Sequence, residues 1–291
     1  TLNYEMSFVT IMAYNECVPS HAIIVTQLEI YNDLRQKVAF VVEKLSLNTF
    51  AVHSKGRKLA LSITDILTLA LFKQTAQIGT KKKVWEIMRP PCSYKTLVVN
   101  MNRFFHLALI ILFLILKNNR RNSHIIKHID STDIPVCSTR KAKYHRTMKD
   151  FATFGKTGKG WFYGLKLHII ADLSEKILSI KFTSGNTNDR NVVIDLADDL
   201  CGLFIADAGY VSASLQRQFH QEHRRFLFAK PRANMKKVAT LVDSALYATR
   251  MKIELNFRNL KCFYGLVTSF PRSVTGYLAN YTYSLLAYCL E

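Results

Sequence analysis

The sequence is short of acid: 21 Asp and Glu stand against 40 Lys and Arg in 291 residues, a formal net charge of +19 with neutral histidine. It also lacks a long apolar run. The longest, Leu107 to Leu116, holds ten residues, where a bilayer crossing needs about 20, so it reads as a buried core helix. The six cysteines (Cys17, Cys92, Cys137, Cys201, Cys262, Cys289) contain no Cys-x-x-Cys pair. That excludes a zinc ribbon, offers no disulfide framework and points to reduced thiols. No Lys or Arg precedes Arg35, so a secretory signal with a cationic start is not expected, and a cytoplasmic protein is. Internal repeats and low-complexity tracts are absent as well.

What is present excludes global disorder: 49% of residues are hydrophobic and only 21% charged. A pI near 9.7 at this size points to a polyanionic partner, nucleic acid first. The charge is concentrated. Between Lys117 and Lys166 twelve Lys and Arg face three Asp (Asp130, Asp133, Asp150). Lys156, Lys159 and Lys166 of that segment are candidate phosphate contacts, on an expected DNA path.

Upstream the pattern is helical. Ile63 to Phe72 carries apolar residues at helical spacing, with Ser62 or Thr64 placed to cap it. Pro90-Pro91 break the chain, and a second apolar helix is expected from about Asn100 to Leu116. Asn118 to Ser123 is polar and reads as a linker. The expected organisation is therefore a mostly helical N-terminal region, 1–118, for DNA-end binding or multimerisation, and a second domain, 119–291. In the second, strands are expected at His124–Asp130, Trp161–Ile170, Lys176–Phe182, Leu203–Ala206 and Phe226–Ala229. Helices are expected at Asn191–Leu200 and about Val238–Leu260. This is an α/β order with a mixed sheet flanked by helices.

Two of these strands end in aspartate, Asp130 and Asp207. The carboxyl ends of strands in an open sheet are where ligands sit. Neighbouring carboxylates repel unless a cation lies between them, which suits Mg²⁺ or Mn²⁺ with oxygen ligands. On the long helix, Tyr247, Arg250, Glu254 and Lys261 lie at offsets 0, 3, 7 and 14. At about 100° per residue they fall within roughly 60° of one another. Leu246, Ile253, Phe257 and Leu260 form an apolar stripe beside them. Such a face brings one carboxylate, two cations and a phenol to the sheet edge. The same residues also fit a solvated face with an Arg250–Glu254 ion pair.

The array Tyr247-x2-Arg250-x3-Glu254-x6-Lys261 matches the Y-(2)-R-(3)-E-(6)-K signature of the DDE transposases of bacterial insertion sequences. The surrounding sequence resembles the insertion-sequence-982-type group. It carries Ile129-Asp130-Ser131, Pro135-Val136-Cys137, Gly160 to His168, Asn186 to Asp189, Asp207-Ala208-Gly209-Tyr210, and Lys230-Pro231-Arg232 with Asn234-Met235-Lys236. The resemblance covers about Leu61 to Ala287 and is most specific from Ile129 to Lys261. It implies a ribonuclease-H-like catalytic fold with Asp130, Asp207 and Glu254 as acidic triad and metal ligands. Two divalent ions, Mg²⁺ or Mn²⁺, about 3.5–4 Å apart, would serve hydrolysis at the element end and strand transfer. Arg250 and Lys261 would neutralise phosphate, and Tyr247 would hydrogen-bond one or pack. The implied partners are double-stranded DNA (terminal inverted repeats and target) and further copies of the chain on that DNA. No membrane is implied, and the location is cytoplasmic, at the nucleoid. Ala208 stands where family members often carry Lys.

Other motifs carry less. Gly155-Lys156-Thr157 lacks the upstream glycine of a phosphate-binding loop, Asp150 standing there. His220-x2-His223 and His124-x3-His128 have no further ligand to complete a zinc set. Trp161-Phe162-Tyr163 fits either stacking on an unpaired DNA end or a strand with alternate rings in the core. Two other readings stay open: a ribonuclease-H-like nuclease that cuts without joining, and a transposase remnant that binds DNA without cutting. Ala208, and Thr1 in place of Met, favour the remnant.

Overall fold

A computed structural model describes residues 20–52, 59–221, 225–229, 241–267 and 271–291. Among these, six helices come first: α1 (Ser20–Lys44), α2 (Thr49–Val52), α3 (Ile63–Thr75), α4 (Lys81–Met88), α5 (Tyr94–Arg103) and α6 (Phe105–Arg121). Strands β1 (Ile126–Cys137), β2 (Thr153–Thr157), β3 (Gly160–Asp172) and β4 (Ile177–Ser184) follow. Then come α7 (Val193–Leu196), β5 (Gly202–Ala206), α8 (Ala213–Gln221), β6 (Arg225–Ala229), α9 (Leu241–Ala248), α10 (Met251–Cys262) and α11 (Val274–Cys289).

Helix α3 begins where the sequence places it. The Ser62 hydroxyl accepts the Asp65 N–H at 3.0 Å and donates to the Asp65 carboxylate at 2.7 Å. Such a cap contributes about 1 kcal/mol. Residues Ile66 to Gln74 are all buried, so the helix is surrounded rather than amphipathic. The expected single helix from Asn100 to Leu116 is two. The chain bends by 42° between α5 and α6, at Phe104. The bend turns the stripe Leu97-Met101 and the stripe Leu107-Ala108-Ile111 toward one core, with the Phe104 ring buried between them. No single helix among the described residues is long and apolar enough to cross a membrane.

The polar run expected as a linker is the end of α6. Asn119 Nδ2 donates to the Ile177 carbonyl at 3.0 Å and Arg120 Nε to the Leu178 carbonyl at 2.8 Å, with Arg120 also on the Ser179 hydroxyl. These side chains cover the outer edge of β4, which would otherwise present unpaired carbonyls. Their polarity satisfies backbone, not solvent. The 118/119 position thus falls inside the last turns of a helix.

The sheet runs β4-β3-β1-β5-β6, with β2 paired to the outer half of β3. Strand β3 is antiparallel to β1, β2 and β4, whereas β1, β5 and β6 are mutually parallel. The architecture is mixed α/β. One face packs Ile134, Leu165, Leu167 and Ile169 against Ile253, Phe257 and Leu260 of α10 and against the helical half. The other packs Ile129, Ile170, Phe204 and Ala206 under α7, α8 and the Ala208–Tyr210 turn.

Helix α11, for which the sequence carried no expectation, ties the halves together. Tyr277 Oη donates to the Val136 carbonyl and Tyr283 Oη to the Met101 carbonyl, each at 2.9 Å. The side chain of Gln74 donates to that of Asn280 at 3.1 Å. Buried phenols with a carbonyl partner place large apolar bodies in the core without orphaning the hydroxyl.

Candidate active site at the carboxyl end of the parallel strands

Strand β1 does not end at Asp130 as expected; it continues antiparallel to β3 as far as Cys137. Its parallel ladder with β5 does end there. The last registered pair is Ile129 with Ala206, so Asp130 and Asp207 are the next residues on two adjacent parallel strands. The strand-end argument therefore holds for the ladder rather than for the strand. Asp207 leaves β5 into the Ala208–Tyr210 turn, whose first hydrogen bond joins the Tyr210 N–H to the Asp207 carbonyl at 2.9 Å.

The expected helix from Val238 to Leu260 is broken. Val238 lies outside the described residues, and α9 stops at Ala248 before α10 starts at Met251. The break has an identifiable cause. The Thr249 hydroxyl donates back to the Leu246 carbonyl at 2.6 Å, a contact that bends helices. The same hydroxyl stands 2.8 Å from His128 Nε2 on β1. With its proton given to Leu246, it accepts from the imidazole. Burial drives the His128 pKa down to about 4, so the ring is neutral and serves as a fixed peg.

Across this break three side chains reach the acids of the sheet. Tyr247 Oη donates to Asp207 Oδ1 at 3.3 Å. Arg250 Nη1 donates to Asp130 Oδ2 at 2.7 Å, while its Nη2 holds Glu254 Oε1. The Arg250 guanidinium also lies over the Tyr247 ring, 5.7 Å from its centroid. Lys261 Nζ donates to Asp133 Oδ1 at 3.1 Å. Asp130 Oδ1 accepts the Ser131 N–H at 2.8 Å.

Electrostatics at this edge are strained in one direction. Burial, with Asp207 and Asp189 adding, pushes the Asp130 carboxyl up to about 6, against the opposing pull of Arg250 and the Ser131 N–H. Burial, then Asp130 and Asp189, drives the Tyr210 phenol far above its usual range. Burial pulls Arg250 down, but Asp130, Tyr247 and Glu254 outweigh it and leave it raised. Lys261 is lowered by burial despite Asp133. The guanidinium is thus the cation that presently answers two of the acids.

Glu254 is not brought against the two aspartates. Arg250 stands between, and among the described residues no three His, Cys, Asp or Glu side chains are close enough together to hold a metal as they stand. The donor set nevertheless fits a hard divalent cation: Asp130 and Asp207 are oxygen ligands whose mutual repulsion a cation relieves.

The remaining expected residues divide. Lys156 and Lys159 are exposed on the β2–β3 hairpin. Lys166 is committed inward, its Nζ on Asp189 Oδ1 at 3.0 Å and the Thr187 carbonyl at 2.9 Å. The motif Lys230 to Lys236, His223 and Cys17 lie outside the described residues. The described cysteines are free. Asp133, Asp189 and His128 were missed as members of the site. The alternation of β1 could have flagged His128, which shares a face with Asp130, whereas nothing in the sequence pairs Asp189 with Lys166.

The family model described as Transposase DDE domain matches residues 120–273. That is more than half of the chain. The chain belongs to the DDE transposase family. The DDE domain so matched contains both aspartates, Glu254, the Tyr247 and Arg250 side chains that answer them, and Lys261. None of the curated proteins compared with it matches. Among solved structures, the crystal structure of the Mos1 mariner paired end complex with Mn is similar over 99% of this chain and 90% of that one. Its identity is 12% and its TM-score 0.24, a likeness that carries no argument.

Proposed function

We propose that this DDE-family chain is an insertion-sequence transposase of the insertion-sequence-982-type group, with Asp130, Asp207 and Glu254 as its acidic triad. Its sheet is read as ribonuclease-H-like, residues 119–291 as the catalytic domain, and 1–118 as the part that binds element ends or multimerises. One observation carries the reading: Arg250 joins Asp130 to Glu254 beside Asp207, on the signature spacing.

Mg²⁺ or Mn²⁺ held by the three carboxylates would supply charge neutralisation at the scissile phosphate and a hydroxide-like nucleophile at neutral pH. The chain's own groups do the rest. Arg250 and Lys261 neutralise Asp130, Glu254 and Asp133 in the free protein, and both lie where they would turn to phosphate oxygens when DNA arrives. Tyr247 orients the Asp207 carboxylate through its phenol. His128 and Thr249 fix the helix break that aims Arg250. Double-stranded DNA is the substrate, both as element ends and as target, with copies of the chain assembled on it.

The test is a joining reaction. The protein is incubated with Mg²⁺ or Mn²⁺ and a plasmid carrying the DNA that flanks its coding region. Cut element ends and their covalent joining to a second plasmid are expected. Cut ends without joining would make it a nuclease. Binding with neither product would make it the DNA-binding remnant that Ala208, in place of the frequent lysine, favours.

A further inference from the structure

The β2–β3 hairpin reaches beyond the rest of the sheet and turns through Gly158-Lys159 into Gly160, whose φ of 119° is open to glycine. Its side-chain alternation is locked. A Cβ on Gly155 would lie 2.3 Å from the Gly185 carbonyl and 2.6 Å from the Phe162 ring. Glycine there lets Phe162 bury, with 7% of its surface left exposed. The opposite face must then carry Phe154, Lys156, Trp161 and Tyr163, because cross-strand partners share a face.

That face is a ladder of rings whose inner member, Tyr163, packs against the core while the outer ones are open. Phe154 sits 5.1 Å from Tyr163, centroid to centroid, and Lys156 Nζ lies 5.8 Å from the Trp161 ring. Phe154 is 48% and Trp161 64% exposed. A tryptophan so exposed on a two-stranded extension gains nothing for the core. The segment that carries it is strongly basic: from Arg140 to Lys166 there are eight Lys and Arg and one acid, Asp150. The ladder lies on the same sheet face as Asp130, eight residues along β3 from its partner Ile169, ~26 Å at strand rise.

We infer that the face of Phe154, Lys156, Trp161 and Tyr163 is a stacking platform for unpaired nucleotides of DNA held at the active-site edge. Flat apolar rings spaced along a basic strand match bases joined by phosphates, and a paired duplex hides its base faces. The inference rests on the transposase reading and adds a site for unpaired strand that the triad does not supply.

Binding of the whole chain to a dye-labelled 12-nucleotide single strand and to a flush-ended 12-base-pair duplex tests it, in EDTA. Trp161→Ala and Phe154→Ala should each weaken single-strand binding about tenfold and change duplex binding less than about twofold. Neither side chain is part of the buried core, so the fold is kept, and a melting curve verifies it. Tyr144→Ala removes an aromatic that is 72% exposed elsewhere in the basic segment and should change neither. Single strand should also quench tryptophan emission in the unmodified protein and leave it unchanged in Trp161→Ala. Equal losses on both DNAs, or no loss on the single strand, would overturn the platform. So would dissociation of an oligomer by Trp161→Ala with DNA affinity unchanged, which would give the face to a second copy. If the unmodified protein binds neither DNA, the transposase reading itself falls, which is a different result from an indifferent Trp161.

Discussion

In the helical half, Lys73 is 5% exposed and its ammonium meets the side-chain amide oxygen of Gln74 at 3.2 Å; at the sheet edge, Arg250 lies between two carboxylates. Lys81 repeats the first pattern, its Nζ on the Asn102 amide oxygen at 2.5 Å. Burial lowers both lysines to about 8, Lys81 adding to the effect on Lys73. The edge cations are instead each bonded to an acid, Arg250 to Asp130 and Glu254, Lys261 to Asp133. A buried cation beside amides costs stability and returns little. A cation beside acids offsets the repulsion among them. The first is a load on the fold; the second, on the proposed reading, is a set of partners that metal and phosphate would exchange.

The largest effect expected from this contrast is on chemistry without loss of fold. Asp130→Asn should lower single-turnover DNA cleavage by about a thousandfold or more. Its melting temperature should hold or rise, because a neutral amide replaces a carboxylate that burial already disfavours. A large loss of stability would show that Asp130 is there for the fold.

Next in size is Arg250→Ala, which leaves a largely buried Asp130 and an exposed Glu254 without their cation. Urea unfolding should show a loss of about 3 kcal/mol. No change would mean that the two ion pairs contribute nothing to the stability of this edge.

The helical half should respond with the opposite sign. Lys73→Met should stabilise the protein by roughly 1–3 kcal/mol at pH 7. The sign with pH follows from the lowered value. Between about 8 and the ordinary lysine value the unfolded chain holds a proton that the folded chain has released, so stability of the unmodified protein rises across that window. The advantage of Lys73→Met should therefore shrink from pH 8 to pH 10.5. A constant difference would mean that packing, not charge, sets it.

The smallest effect belongs to exposed cations. Replacing Lys156 and Lys159 together should weaken duplex binding on all sequences and flatten the slope of log K against log salt by about 2. An unchanged slope would move the DNA path to the helical half.

How far the sequence spoke depends on which signal each region used. Capped and periodic stretches were readable: Ser62 starts α3, and the apolar runs at Phe204 and Phe226 are β5 and β6. Spacing alone brought Tyr247, Arg250, Glu254 and Lys261 together, although the straight helix behind that argument does not exist. The array stays at the site across the break because Tyr247, Arg250 and Lys261 each reach a different acid on the sheet, while Glu254 is held by Arg250. What failed were boundaries decided by tertiary contact. Asn119 and Arg120 look like linker residues until β4 carbonyls are beside them. Phe104 looks helical until two stripes must face one core. The Thr249 hydroxyl that breaks the helix is also bonded to His128, 121 residues away in the chain, which no local propensity contains. Lys166 was expected on DNA, and its Asp189 partner lies 23 residues away in the chain.

On the proposed reading, Asp207 and its neighbours hold the metal ions that cut DNA, and exchanging one ligand tests this most directly. Asp207→Cys substitutes sulfur for oxygen at one ligand, which magnesium accepts poorly and softer manganese accepts better. With the flanking-DNA plasmid as substrate, the unmodified protein should cut in Mg²⁺ and in Mn²⁺. Asp207→Cys should cut in Mn²⁺ alone, and Asp207→Asn in neither. Cutting of that plasmid in Mg²⁺ by Asp207→Cys and Asp207→Asn at the unmodified rate would contradict the account.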